Sequence, residues 1–221
     1  AQIYIDLRRL DESASLLEES LASCRRIHGR NDHSDVAASL KTLAQVYTAQ
    51  GRLDEAASLL EESLALCRRI HGADHSDVAA AMCSLAQAYE KQGRLGNSAP
   101  LLEESLAMLG RIHGGRNHSL VATSLVGLAQ VYEKQGRLDE SASRLEEALA
   151  MFRDIHGRDD HSEVAVARGS LAQVYEKQGR LDESAPLLEE SLAMLRRAHA
   201  RQDHTDVAAS LCSLAQVYEK Q

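Results

Sequence analysis

The stretch Leu128-Ala129-Gln130-Val131-Tyr132-Glu133-Lys134-Gln135-Gly136-Arg137-Leu138-Asp139-Glu140-Ser141 occurs a second time, unchanged, at residues 171–184. A fixed period of this kind decides the fold, because copies of one supersecondary unit stack on one another and each buries its neighbour's apolar face. Outward from this stretch, Ala-Gln-x-Tyr recurs with its tyrosine at Tyr4, Tyr47, Tyr89, Tyr132, Tyr175 and Tyr218, at spacings of 43, 42, 43, 43 and 43 residues. Gly-Arg-Leu follows the middle four, beginning at Gly51, Gly93, Gly136 and Gly179. A Leu-Glu-Glu, an Ile-His-Gly or its like, and a second His before Ser or Thr complete the unit. The tyrosines are one residue copied, not a cluster.

Each unit reads as two helices. Val36, Leu40, Leu43, Ala44 and Tyr47 are spaced for one face of a helix A, roughly Ser34 to Gln50, with Ser34 and Asp35 supplying the cap and a favourable charge. Gly51 and Arg52 make the turn. Leu53, Ala56, Leu60, Leu64, Cys67 and Ile70 then mark a helix B that reaches about His71. Pro100 and Pro186 are read as first-turn residues, where amide hydrogens lack partners inside the helix. The acidic pairs such as Glu61-Glu62 and Glu189-Glu190, ahead of Arg68-Arg69 and Arg196-Arg197, suit the helix dipole and read as a solvated face. The fold expected is all-α, a right-handed α-solenoid of stacked antiparallel helix pairs. Its units are 1–33 in part, 34–75, 76–118, 119–161, 162–204 and 205–221 in part. Ten nearly complete helices run from about Asp11, after a stub ending in Tyr4, and the uncapped ends suggest one array within a longer one.

Composition removes several function classes. Lys plus Arg number 25 against 33 Asp plus Glu, a net charge of −8 that opposes a nucleic-acid backbone or an anionic membrane as partner. One Phe, six Tyr and no Trp leave little for base stacking. No apolar run is long enough for a membrane span. Four cysteines are too few for a disulfide framework, so reduced thiols and a cytoplasmic setting are expected.

Leu40, Leu43, Ala44, Tyr47, Ala56, Leu60 and the small Ser63 or Ala148 resemble the tetratricopeptide signature. The longer period, with its Gly-x-x-x-His-Ser-x-Val-Ala connection, is similar to the repeats of kinesin light chains, also found in nephrocystin-type proteins and the sensor arrays of some signalling ATPases. This resemblance covers essentially the whole sequence. It implies a superhelix whose A helices line the concave side and a protein-binding role. Two departures stand out. Ser34, Ser76, Ser119, Ser162 and Thr205 replace the family's Pro after the second His. The Asn pair common on the inner face of helix A in kinesin light chains has no counterpart at Lys41-Thr42, Cys83-Ser84, Val126-Gly127, Gly169-Ser170 or Cys212-Ser213, so cargo recognition of the motor-adaptor type is not implied.

On the outward stripe of the A helices, Gln45, Gln87, Gln130, Gln173 and Gln216 form one ladder, and Lys91, Lys134, Lys177 and Lys220 a second. An amide that both donates and accepts suits an extended backbone, and a row of ammonium groups suits acidic residues. The expected function is a non-enzymatic scaffold that binds a protein or peptide segment with negative charge in the groove at Gln45, Gln87, Lys91, Gln130, Lys134, Gln173, Lys177 and Gln216. The competing reading is a ligand-sensing or autoregulatory array of a larger signalling NTPase or effector.

All ten histidines fall in the connections, as pairs His28/His33, His71/His75, His113/His118, His156/His161 and His199/His204. Cys24 and Cys67 belong to helix B and Cys83 and Cys212 to helix A, so no four-ligand Cys/His zinc site is expected. No metal, no cofactor and no catalytic residue is assigned. Asp32-His33, Asp74-His75, Asp160-His161 and Asp203-His204 suggest hydrolytic chemistry, yet they recur in register with no nucleophile elbow or phosphate loop beside them. Arg168 stands where the other units have Leu40, Met82, Leu125 and Leu211, and a local distortion or a snorkelling side chain is expected there.

Overall fold

The computed structural model describes residues 2–28, 32–114, 118–156, 161–198 and 205–220, with side chains from residue 9 onward except at 198, 205 and 206. The side chains of Tyr4, Asp160, His199, Asp203, His204 and Thr205 thus lie outside the described residues. Ten helices follow one another: α1 (Gln2–His28), α2 (Ser34–Ala49), α3 (Leu53–His71), α4 (Ser76–Lys91), α5 (Leu95–His113), α6 (Ser119–Lys134), α7 (Leu138–His156), α8 (Ser162–Lys177), α9 (Leu181–Ala198) and α10 (Thr205–Lys220). No strand occurs among the described residues. The all-α architecture of sequential helix pairs expected from the repeat is present.

The protein divides into two compact units, 1–112 and 113–221. In the first, α1 packs on α2, α2 on α3 and α3 on α4. In the second, α6 packs on α7, α7 on α8, α8 on α9 and α9 on α10. Leu40, Ala44, Ala56, Met82 and Ala86 are fully buried in the first unit, and Ala129, Ala148, Ala172 and Val174 in the second. The alanines let helix axes approach closely, and the leucines and Phe152 fill the space left. Buried serines at the crossings spend their hydroxyls on carbonyls: Ser63 donates to Ala37 O at 3.0 Å, Ser98 to Ala86 O at 2.8 Å and Ser191 to Ala165 O at 2.8 Å.

The turn after each A helix explains Gly-Arg-Leu. Gly51, Gly93, Gly136 and Gly179 have φ between 74° and 77°. The Gly51 amide donates to Thr48 O and the Arg52 amide to Tyr47 O, a pairing that closes the helix C-terminus and needs a left-handed residue. The following Arg lies over the ring of the preceding Tyr, at 3.7 Å for Arg52 on Tyr47 and 3.8 Å for Arg180 on Tyr175. Its fork then grips the next Glu, Glu55 or Glu183. Those exposed carboxyls are held below the usual carboxylate range by the guanidinium hydrogen bond.

Four local expectations are corrected. First, α1 is one helix from Gln2, with no break between stub and helix B. Arg8 stands where the other units have Gly51 or Gly136, so the left-handed turn is missing. Second, the cap is not Ser34. His33 is the extended residue before α2, at φ −133° and ψ 139°, and its Nδ1 accepts from the Asp35 amide at 3.2 Å. His75 and His118 do the same for Asp77 and Leu120, at 3.1 Å each. Ser34 occupies the first helical position, the place where Pro is also tolerated. Third, Pro100 and Pro186 lie beyond the first turn, inside helices that begin at Leu95 and Leu181. Fourth, Arg168 neither distorts α8, which runs unbroken, nor snorkels free. It is buried, with Nη1 2.7 Å from Glu190 Oε2 and 3.3 Å from Met194 Sδ.

Candidate partner-binding surface

The predicted ladder residues all sit on A helices: Gln45 on α2, Gln87 and Lys91 on α4, Gln130 and Lys134 on α6, Gln173 and Lys177 on α8, Gln216 on α10. Gln45, Gln87, Lys91, Lys134, Gln173, Lys177 and Gln216 are exposed, and Gln130 is half-buried. In the first unit α2 and α4 flank a groove of about 190 Å³ lined by Lys41, Ala44, Gln45, Thr48, Leu60, Ser84, Gln87, Ala88 and Lys91. Three predicted residues, Gln45, Gln87 and Lys91, therefore share one site.

The lysines are not equivalent. In the second unit Lys177 Nζ lies 2.8 Å from Glu133 Oε1, and Lys220 Nζ 2.5 Å from Glu176 Oε1, each carboxylate being largely buried at 14% exposure. These pairs link successive A helices and offset the charge of the ammonium groups. The position of Glu133 and Glu176 is held by Thr48 on α2, although α4 keeps Glu90 there. No ion pair forms at Lys91 among the described residues, and the Thr48 hydroxyl instead donates back to Ala44 O at 2.8 Å. Lys41 and Lys91 thus bring positive charge to a groove whose walls also carry amide and hydroxyl groups. The signal in the sequence is the break at Thr48 in the Glu column. A helical period compares residues along one helix and not across two, so it gives that break no meaning.

A second hollow of about 260 Å³ in the same unit is lined by Ala37, Ala38, Ala80, Ala81, Lys41, Ser63, Cys67, His71 and Asp77, with Ser34 at its edge. Burial pushes the Cys67 thiol up from its ordinary pKa, and nearby Asp77 adds to the shift. In the second unit Thr123, Val126, Phe152, Ser162, Glu163 and Val166 line a hollow of about 170 Å³ at the N-terminal ends of α6 and α8.

The Glu pairs of the B helices are more than a solvated face. Tyr47 Oη donates to Glu18 at 2.7 Å, Tyr89 to Glu61 at 2.6 Å and Tyr175 to Glu146 at 2.6 Å. Each bond ties a B helix to the A helix that follows. For Tyr47 the carboxylate contact leads in raising the phenol pKa, and for Tyr89 and Tyr175 burial leads with the carboxylate second. The second Glu of the pair meets Arg25 at Glu62, 2.6 Å, and Arg68 at Glu104, 3.1 Å. Asp32 and Asp74, which the sequence sets beside histidines, turn instead to Arg69 at 2.8 Å and Arg111 at 2.6 Å. Both carboxyls are held below their ordinary pKa chiefly by the guanidinium hydrogen bond.

The family model of the tetratricopeptide repeat matches residues 1–66, 35–111, 111–154, 120–197 and 163–221. The protein therefore belongs to the tetratricopeptide repeat family. Among solved structures it is similar to the "kinesin light chain nearly identical TPR-like repeats" of Podosopora anserina, at 27% identity, 91% and 93% coverage of the two chains and a TM-score of 0.71. It is also similar to BtubC (BKLC) from P. vanneervenii, at 22% identity, 97% and 84% coverage and a TM-score of 0.81. The fold likeness extends to MamA, at 16% identity, 86% and 91% coverage and a TM-score of 0.59. No curated protein matches the sequence significantly. The repeat array is that of a protein-interaction scaffold, and none of its described helices is long and apolar enough to cross a membrane.

Proposed function

We propose that this protein is a non-enzymatic scaffold that docks an acidic segment of a partner protein against its A helices. The charged anchor is the groove between α2 and α4. One observation carries this reading: Lys91 faces Thr48, where the second unit sets a glutamate against the equivalent lysine. An unpaired ammonium beside Gln45 and Gln87 gives a carboxylate somewhere to go and a peptide backbone both donors and acceptors. In the second unit Gln130, Gln173 and Gln216 extend the same backbone-reading role, while Lys177 and Lys220 are spent on intramolecular pairs. None of the four cysteines is in a disulfide, which suits a reducing compartment, and we assign the protein to the cytoplasm.

The test is selection from a displayed peptide library, followed by titration of the selected sequences. Acidic peptides should be enriched, their affinity should fall with added salt, and Lys41→Glu with Lys91→Glu should weaken binding at least tenfold, about 1.4 kcal/mol or more. Peptides that bind equally well after joint substitution of Gln87, Lys91, Gln130 and Lys134 would overturn the assignment.

A further inference from the structure

The histidine pairs do more than end one helix and start the next. Among the described residues two imidazoles and a carboxylate converge three times: His28, His33 and Asp35; His71, His75 and Asp77; His156, His161 and Glu163. Within each triad one donor atom per residue lies within 4.8 Å of the others. The third member is at the second helical residue of the following A helix, a position that reads in the sequence only as a favourable charge. The spacing is close to what a metal needs. His28 Nε2 lies 3.5 Å from Asp35 Oδ2, His71 Nε2 3.3 Å from Asp77 Oδ2, and His156 Nε2 3.7 Å from Glu163 Oε2. Tetrahedral zinc with bonds of roughly 2.0–2.1 Å sets its ligand atoms about 3.4 Å apart.

We propose that these connections are binding sites for a borderline divalent transition cation of the zinc class, held by two imidazoles and one carboxylate with water completing the shell. Two nitrogen donors out of three exclude the hard calcium and magnesium ions, which take oxygen cages. The carboxylates stay accessible at 62%, 59% and 47% exposure, so an ion can reach them from solvent.

The triads rank among themselves. At His33 and His75 the Nδ1 atom already accepts an amide hydrogen, so ligation through it competes with the helix cap. The rings there are also nearly parallel, at 10° and 8°, and must splay for their lone pairs to converge. His161 makes no cap bond, its ring is tilted 24° from that of His156, and His156 Nε2 is buried with no hydrogen-bond partner. The triad at His156, His161 and Glu163 is therefore the tightest. The protein carries its own control: His113 and His118 stack at 3.9 Å like the others, but Leu120 stands where the carboxylate belongs. His113 Nε2 is likewise buried without a partner.

The experiment is titration of Zn(II) alone into the EDTA-treated, dialysed 221-residue protein by calorimetry, with Co(II) absorption reporting coordination. Zinc should bind at micromolar concentration or below, and Co(II) should show the visible bands of a four-coordinate nitrogen and oxygen site. Glu163→Gln, an exposed change that leaves far-UV circular dichroism unaltered, should remove one equivalent, the tightest. Leu120→Asp should add one equivalent. Absence of binding at about 100-fold excess zinc, an unchanged stoichiometry in Glu163→Gln, or no gain in Leu120→Asp would each overturn the proposal.

Discussion

Arg168 is the residue that departs most from its column, and its surroundings define its cost. A guanidinium in the space that Leu40 or Met82 fills elsewhere keeps an ion pair with Glu190 and a hydrogen bond to Met194 Sδ, but its Nε is buried without a partner. Removing one member of an ion pair is strongly destabilising when the other charge is left buried. Glu190 is 57% exposed and stays solvated, so an apolar side chain at 168 strands no charge and removes the unpartnered Nε. Arg168→Leu is thus expected to raise the urea midpoint, by about 1–3 kcal/mol in stability with an unchanged denaturant slope. Tyr175→Phe should act the other way. It removes the hydroxyl that ties α8 to Glu146 on α7 and should cost about 1 kcal/mol by the same measurement. The column alone exposes Arg168 as anomalous. It does not reveal Glu190, since that contact joins residues on different helices, and no helical period predicts it. The same blindness hides Glu146 from Tyr175 and the carboxylates from the histidine pairs.

At the scale of the element, helix bounds follow from periodicity and from the glycines, because each end has a local chemical cause. Gly136 adopts φ 76° with open space around its missing Cβ, so Gly136→Ala should cost about 1–2 kcal/mol through backbone conformation alone. Gly110 lies inside α5 with equally open space and no positive φ, so Gly110→Ala should stabilise by about 0.5–1 kcal/mol. Opposite signs in one thermal-unfolding series check both. The cap falls one residue before the serine for a reason rooted in chemistry. Ser is a familiar capping residue, whereas here an imidazole reaches the amide two residues on while its ring stacks on the preceding histidine's, at 4.0 Å between His71 and His75. The continuity of α1 is legible too, once Arg8 is weighed as a missing glycine.

For the whole molecule the ten histidines dominate the response to acid. Protonating all of them would move the formal charge from −8 to +2, through neutrality in mildly acidic solution. Solubility should fall near roughly pH 5.5–6, where self-repulsion vanishes. Light scattering that stays flat between about pH 7.5 and 5.5 would contradict this. One local effect runs in the same direction. Desolvation, helped by the neighbouring His118, holds His113 below its ordinary pKa, so the folded protein binds fewer protons there than the unfolded one. Its share of stability is present above about pH 6.5 and is lost as pH falls through the depressed folded value.

The duplicated fourteen-residue stretch has a consequence for how such a protein changes length. Excising residues 136–178 joins Gln135 to Gly179, and the sequence across the seam is then identical to the one it replaces, from Leu128 through Ser184 of the original numbering. The left-handed turn, the arginine fork and the buried serine hydroxyl are all regenerated at the splice. Gain or loss of a whole period is therefore a silent edit at its own junction. It lengthens or shortens the protein while leaving the turn at the join unchanged.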